Sequence, residues 1–107
     1  MHRGEVYLAD FGVTCGNVQA GIRPVVVVQN DTGNKYSSTV IVAPLTSRSK
    51  KPLPTHSITY ASGLRSTVLT EQLKTLNKSW LGRKLGELTA TELECLDRAL
   101  AVSIGLS

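Results

Sequence analysis

Residues 24–46 read PVVVVQNDTGNKYSSTVIVAPLT, and this stretch decides the fold. Two runs, 24–30 and 38–46, are almost continuous in apolar and β-branched residues, the pattern of strands covered on both faces. Between them stands Asp31-Thr32-Gly33-Asn34, in which Gly and Asn tolerate the positive φ of a tight turn. The reading is therefore a hairpin of two central strands. Working outward, EVYLADF (5–11), THSITY (55–60) and STVLTEQL (66–73) are further strand patterns bounded by turn residues. Five strands in about 70 residues, with no helix long enough for a crossover, predict an antiparallel, strongly curved sheet or small barrel. The glycine-rich 12–22 (GVTCGNVQAGI) and the cationic, proline-bearing 47–54 (SRSKKPLP) read as surface loops.

After residue 76 the period changes. Asn77 is placed to cap a short helix through Lys84, with Trp80, Leu81 and Leu85 on its apolar side and Gly86 as its stop. Thr89-Ala90-Thr91-Glu92 matches a capping box, and Leu93, Leu96, Leu100 and Ile104 recur at helical spacing until Gly105. This terminal helix is expected to pack on the sheet. The fold class is mainly β with a C-terminal helix, in one domain over residues 1–107. The chain's 107 residues are 41% hydrophobic, enough for one core, and 19% charged with nine Gly and four Pro, which excludes disordered and collagen-like classes.

Apolar runs such as Val25–Val28 are far short of the about 20 residues that span a bilayer, and no apolar signal core follows Met1-His2-Arg3. A soluble, cytoplasmic protein is expected, with no membrane partner. Cys15 and Cys95 have neither metal-ligand spacing nor the density of a disulfide framework, so they read as incidental thiols, with no structural zinc. The net charge is +4, but residues 1–84 carry eleven basic and four acidic side chains, whereas residues 85–107 carry one basic and four acidic. The positive field belongs to the sheet segment and favours a polyanionic partner.

The general catalytic templates are missing: no phosphate-cradling loop, no paired His ligands and no Cys-x-x-Cys. His56, inside a short strand, reads as a structural histidine. What stands out is the polar residues where apolar strands meet loops: Arg23 before PVVVV, Thr46-Ser47 after VIVAPL, and Glu71-Gln72 after VLT. One rim of the sheet would gather them.

In these motifs the chain resembles the MazF/PemK/Kid toxin endoribonucleases. The resemblance rests on RGEVYLADF (3–11), GIRPVVVVQND (21–31), TVIVAPLTS (39–47), LPTH (53–56), VLTEQLKTL (68–76) and LDRALAVSIGL (96–106), in that order along nearly the whole chain. It implies an SH3-like barrel of the CcdB/Kid-like architecture, a homodimer, and cleavage of single-stranded RNA at short sequences without a metal or other cofactor. The products would be a 2′,3′-cyclic phosphate and a 5′-hydroxyl. The family's G-x-R-P arginine falls on Arg23, its strand-end threonine on Thr46, and an acidic residue before a Gln-containing stretch on Glu71. The candidate RNA contacts are Gln19, Ser47, Arg48, Lys50, Gln72 and Lys74, with Lys51 beside them. Where many relatives carry an Arg and an Asp after the fifth strand, this chain has Lys74 and Asn77. The loop at 12–20 lacks the histidine that some relatives place there.

The chemistry can be read apart from the resemblance. In-line attack by a ribose 2′-hydroxyl needs a base for its proton, stabilisation of charge on the phosphoryl oxygens and a proton for the leaving oxygen. Arg23 suits charge stabilisation because guanidinium stays protonated and presents a planar fork. Thr46 can donate one more hydrogen bond, and Glu71 is the best carboxylate for a base. The resemblance further implies an acidic, partly disordered antitoxin that covers the basic RNA groove. The alternative is a non-catalytic module on the same scaffold, either a CcdB-like gyrase poison or an RNA binder.

Overall fold

The computed structural model describes residues 1–11, 21–48 and 51–107. Seven strands form the body of the molecule: β1 (Glu5–Asp10), β2 (Ile22–Val27), β3 (Thr39–Thr46), β4 (His56–Thr59), β5 (Ser66–Leu69), β6 (Lys74–Asn77) and β7 (Leu81–Glu87). Two α-helices, α1 (Asp31–Tyr36) and α2 (Ala90–Ser103), and two 3₁₀ turns, Thr70–Gln72 and Lys78–Trp80, complete the described residues. The strand order is β4-β5-β3-β2-β1-β7, with β6 on β3, and every pairing is antiparallel. The result is a strongly curved half-barrel carrying a C-terminal helix.

β3 is the strand that shapes it. Residues 39–42 pair with β6, residues 42–44 with β2, and Leu45-Thr46 with β5, so one strand serves two sheets. Its side chains alternate between two cores, as the period of two demands. Val40 and Val42 join Ala9, Val25, Val27 and Leu76, while Ala43 and Leu45 join Val6, Val26, Val68 and Leu96 of α2. Covering of both faces is what the uninterrupted apolar runs predicted.

The connection from β2 to β3 is a correction. It is not a tight hairpin turn but the single helical segment α1, capped by Asn30, whose side chain accepts from the Gly33 N–H at 2.8 Å. Asn34 is buried, and its amide donates to the Gln29 carbonyl at 2.9 Å and to Asp31 at 3.1 Å. The same residue types that favour turns also cap helices, because their side chains compete for nearby backbone N–H groups.

A second correction concerns residues 66–87. The expected strand 66–73 ends at Leu69, and the helix expected over 77–84 is replaced by β6, a 3₁₀ turn and β7. Asn77 does act as a cap, accepting from the Ser79 N–H at 3.0 Å, but of that turn only. β1 has a free edge that β7 fills, with two register shifts, and non-local pairing overrides the helical spacing of Leu81 and Leu85. Gly86 is not a helix stop; it lies opposite Val6, where a Cβ would sit 2.2 Å from the Ala61 carbonyl oxygen.

The terminal helix follows its expectation. Thr89 accepts from the Glu92 N–H at 3.2 Å, and Glu92 accepts from the Thr89 N–H at 3.0 Å, a complete capping box. Leu96 and Ala99 are buried, Leu93 and Leu100 pack against the same core, and Ile104 is exposed. Asp97 pairs with Arg3 at 2.7 Å, and the Thr70 hydroxyl reaches the Ala99 carbonyl at 3.2 Å. Among the described residues no helix is long and apolar enough to cross a membrane.

Candidate active site

The register of β2 on β3 brings the two leading residues together. Val25 pairs with Pro44, so two residues further towards the same end stand Arg23 and Thr46. Arg23 is held on its other side by pairing with Ala9 of β1, and Thr46 by pairing with Thr67 of β5. Both line a cavity of about 320 Å³, with Ser47 and Arg48 from the end of β3 and Ser62 and Ser66 from the β4–β5 hairpin. Pro24, Leu45, Leu64 and Leu85 complete the wall. Convergence of the guanidinium and the threonine, far apart in sequence, thus follows from strand pairing.

Local hydrogen bonds fix what Thr46 can do. Its Oγ1 accepts from the Arg48 backbone N–H at 3.2 Å, which leaves its own proton to donate into the cavity. The Ser62 and Ser66 hydroxyls lie 3.0 Å apart, and Ser66 donates to the Leu64 carbonyl at 3.2 Å, so the hairpin tip is tied to itself. Among the described residues, two arginines and no carboxylate line the cavity. Such a surface carries positive potential. A cavity of about 400 Å³ beside Asp10, Phe11 and Trp80 has no Lys or Arg among its described lining residues.

Glu71 is elsewhere. The cavity sits at the turn end of the β4–β5 hairpin, whereas the 3₁₀ turn after β5 carries Glu71 to the open end. There its carboxylate accepts from Thr55 Oγ1 at 3.1 Å and lies 3.1 Å from His56 Nε2. Burial alone would raise its pKa, but its own backbone N–H, His56 and Thr55 together hold it below the usual carboxylate value. The expectation that Glu71 meets Arg23 and Thr46 at one rim is not realised within the chain. Gln72 follows Glu71 and is exposed, and Lys74 on β6 pairs with Val42 of β3, its Nζ 5.6 Å from the Phe11 ring centroid. Gln19 and Lys50 fall outside the described residues. His56 is held at Nε2 by Glu71, while its buried Nδ1 has no partner among the described residues.

Ser62, Ser66 and Leu85 were not legible as site residues. They reach the cavity through a hairpin tip and through β7, and no periodicity marks either. Among the described residues no group of three His, Cys, Asp or Glu gathers as a metal site.

A curved antiparallel half-barrel with a C-terminal helix, and a cavity shared by Arg23 and Thr46, defines the class. The chain belongs to the family described as the PemK-like, MazF-like toxin of type II toxin–antitoxin systems, whose pattern matches residues 2–104. It is 47% identical over 111 aligned residues to the endoribonuclease MazF of Staphylococcus saprophyticus, covering 99% of this chain and 92% of that one. It is also similar to a mycobacterial endoribonuclease solved in complex with its cognate antitoxin, at 30% identity and a TM-score of 0.85, over 100% of this chain and 97% of the other. MazF from Deinococcus radiodurans shares the fold, with 24% identity and a TM-score of 0.80 over 98% and 96% of the two chains.

Proposed function

We propose that this endoribonuclease toxin cleaves single-stranded RNA at preferred sequences without a metal, by attack of a ribose 2′-hydroxyl on the adjacent phosphorus. The attacking oxygen forms the new P–O bond and the bond to the 5′ oxygen breaks, leaving a 2′,3′-cyclic phosphate and a 5′-hydroxyl. The observation that carries this reading is the cavity shared by Arg23 and Thr46, whose polar lining among the described residues is two arginines and the hydroxyls of Thr46, Ser47, Ser62 and Ser66.

Arg23 offers its fork to the non-bridging oxygens as negative charge grows there, and Thr46 donates its hydroxyl proton to one of them. The Arg48 backbone N–H orients Thr46 for this, and the Arg48 side chain adds positive potential along the strand. The described lining residues include neither a carboxylate nor an imidazole, so catalysis here rests on charge stabilisation and alignment. The 2′-hydroxyl proton passes to solvent, and solvent protonates the leaving oxygen. Absence of a placed base costs a factor of about 10²–10⁴, which a toxin acting on long transcripts can bear.

The chain's biological partner is an acidic, partly disordered antitoxin laid over the same basic rim, and its working form is a homodimer. The relative solved with its antitoxin and the basic residues of the cavity support the first of these. The test is incubation of the purified protein with long single-stranded RNA in EDTA, beside Arg23→Ala. Cut RNA ending in cyclic phosphate from the wild type, and intact RNA from the variant, is expected. Intact RNA in both, or cleavage only after a divalent metal is added, overturns the proposal.

A further inference from the structure

A second cavity, of about 140 Å³, lies beside the first and is lined by Pro52, Leu53, His56, Ile58, Arg65 and Thr67. The two are joined by one cross-strand pair: Thr46 lines the first, Thr67 lines the second, and the two residues are partners across β3 and β5. Their Cβ atoms therefore stand about 5 Å apart on one face of the sheet. A nucleotide next to a phosphate held at Thr46 reaches the second cavity without stretching.

Pro52, Leu53 and Ile58 give this cavity its apolar lining, and His56, Arg65 and Thr67 its polar groups. Among the described residues the Arg65 guanidinium makes no hydrogen bond or ion pair, and the Thr67 hydroxyl has no partner although the residue is only 6% exposed. The ring of His56, whose side chain is 7% exposed, is held by Glu71 and forms part of the wall. A small apolar slot with a few unspent, convergent donors is how proteins hold a flat polar ring. Unstacked bases of single-stranded RNA are read in this manner, by a wall against the ring and hydrogen bonds to its edge.

Both polar groups can donate, and guanidinium can do nothing else. We infer that this cavity is a specificity subsite for one keto base, uracil or guanine, flanking the scissile linkage, its carbonyl edge read by Arg65 and Thr67. The inference rests on the RNA-cleavage reading above. Glu71 then serves as a positioning residue, holding His56 as part of the slot rather than moving a proton at the phosphate.

The test is digestion of an RNA pool randomised in sequence, with the cut ends sequenced. The full-length wild type is compared with Arg65→Ala, Arg65→Lys and the near-isosteric Thr67→Val. Wild type is expected to prefer uracil or guanine at one position beside the cut. Arg65→Ala and Thr67→Val should each weaken that preference about tenfold, leaving preferences at other positions unchanged, and Arg65→Lys should fall between. Arg65 is exposed, so its variants keep the fold, and the unchanged positions serve as the internal control. Synthetic substrates with either keto base then show which of the two is held, and either supports the subsite. Unaltered profiles in both Arg65→Ala and Thr67→Val, or a wild-type preference for adenine or cytosine there, overturn it while RNA cleavage stands. A wild type that cuts no RNA overturns the functional reading and the subsite with it.

Discussion

At Arg23 and Thr46 the chemistry comes down to which groups are fixed. Arg23→Ala should lower kcat by about 10²–10³, the usual loss for one aimed donor to a developing oxyanion. Arg23→Lys should recover only part of this, since a point charge replaces a fork. Thr46→Ser should stay active and Thr46→Val should not, because the hydroxyl that accepts from Arg48 and donates onward is what matters. Initial rates on long single-stranded RNA check all three. Glu71→Gln is expected to behave differently. It loosens His56 and Thr55 at the open end of the hairpin and should reduce thermal stability while costing much less rate than Arg23→Ala. A loss in rate equal to that of Arg23→Ala, with an unchanged melting temperature, would return Glu71 to the role of base.

The elements show why some local signals survive folding and others do not. The capping box at Thr89 and the leucine spacing of α2 are satisfied within the helix, so they read true. Strands β2 and β3 read true because burial on both faces leaves a continuous apolar run. The segment 77–87 did not, since its fate is set by the open edge of β1 rather than by its own pattern. Gly86 illustrates the point: its glycine is required by the Ala61 carbonyl from a distant hairpin. Gly86→Ala should destabilise the protein by about 1–3 kcal/mol through overpacking against rigid backbone, measured by denaturant unfolding. A neutral result would mean that the β4–β5 hairpin shifts freely against β7.

Across the whole molecule, β1 and β7 are joined by an ionic contact whose behaviour with pH is defined. Glu5 is buried, and its carboxylate accepts from Lys84 at 2.7 Å, from the His2 backbone N–H at 2.6 Å and from Tyr7 at 2.9 Å. Burial by itself would raise its pKa; the Lys84 bond, then the His2 and Tyr7 bonds, overcome this and bring it from 4.5 down to about 2. A depressed carboxylate stabilises the fold fully above its unfolded pKa and loses that contribution as pH falls towards the folded value. Glu5→Gln should therefore be less stable than wild type at neutral pH, with the gap closing between about pH 4.5 and pH 2. Unfolding midpoints measured over that range test it; a gap independent of pH would show that packing, not charge, is lost.

The sequence by itself determined the central strand pair, the capped terminal helix and the basic character of the sheet segment. Each depends on interactions among neighbours in the chain or on side-chain type alone. Only the tertiary structure decided that Arg23 and Thr46 share a cavity, that Ser62 and Ser66 join them, and that Glu71 turns to His56 instead. Those outcomes are matters of register and of which strand fills which edge. A shift of one residue in pairing turns a side chain to the opposite face, and no local pattern carries that information.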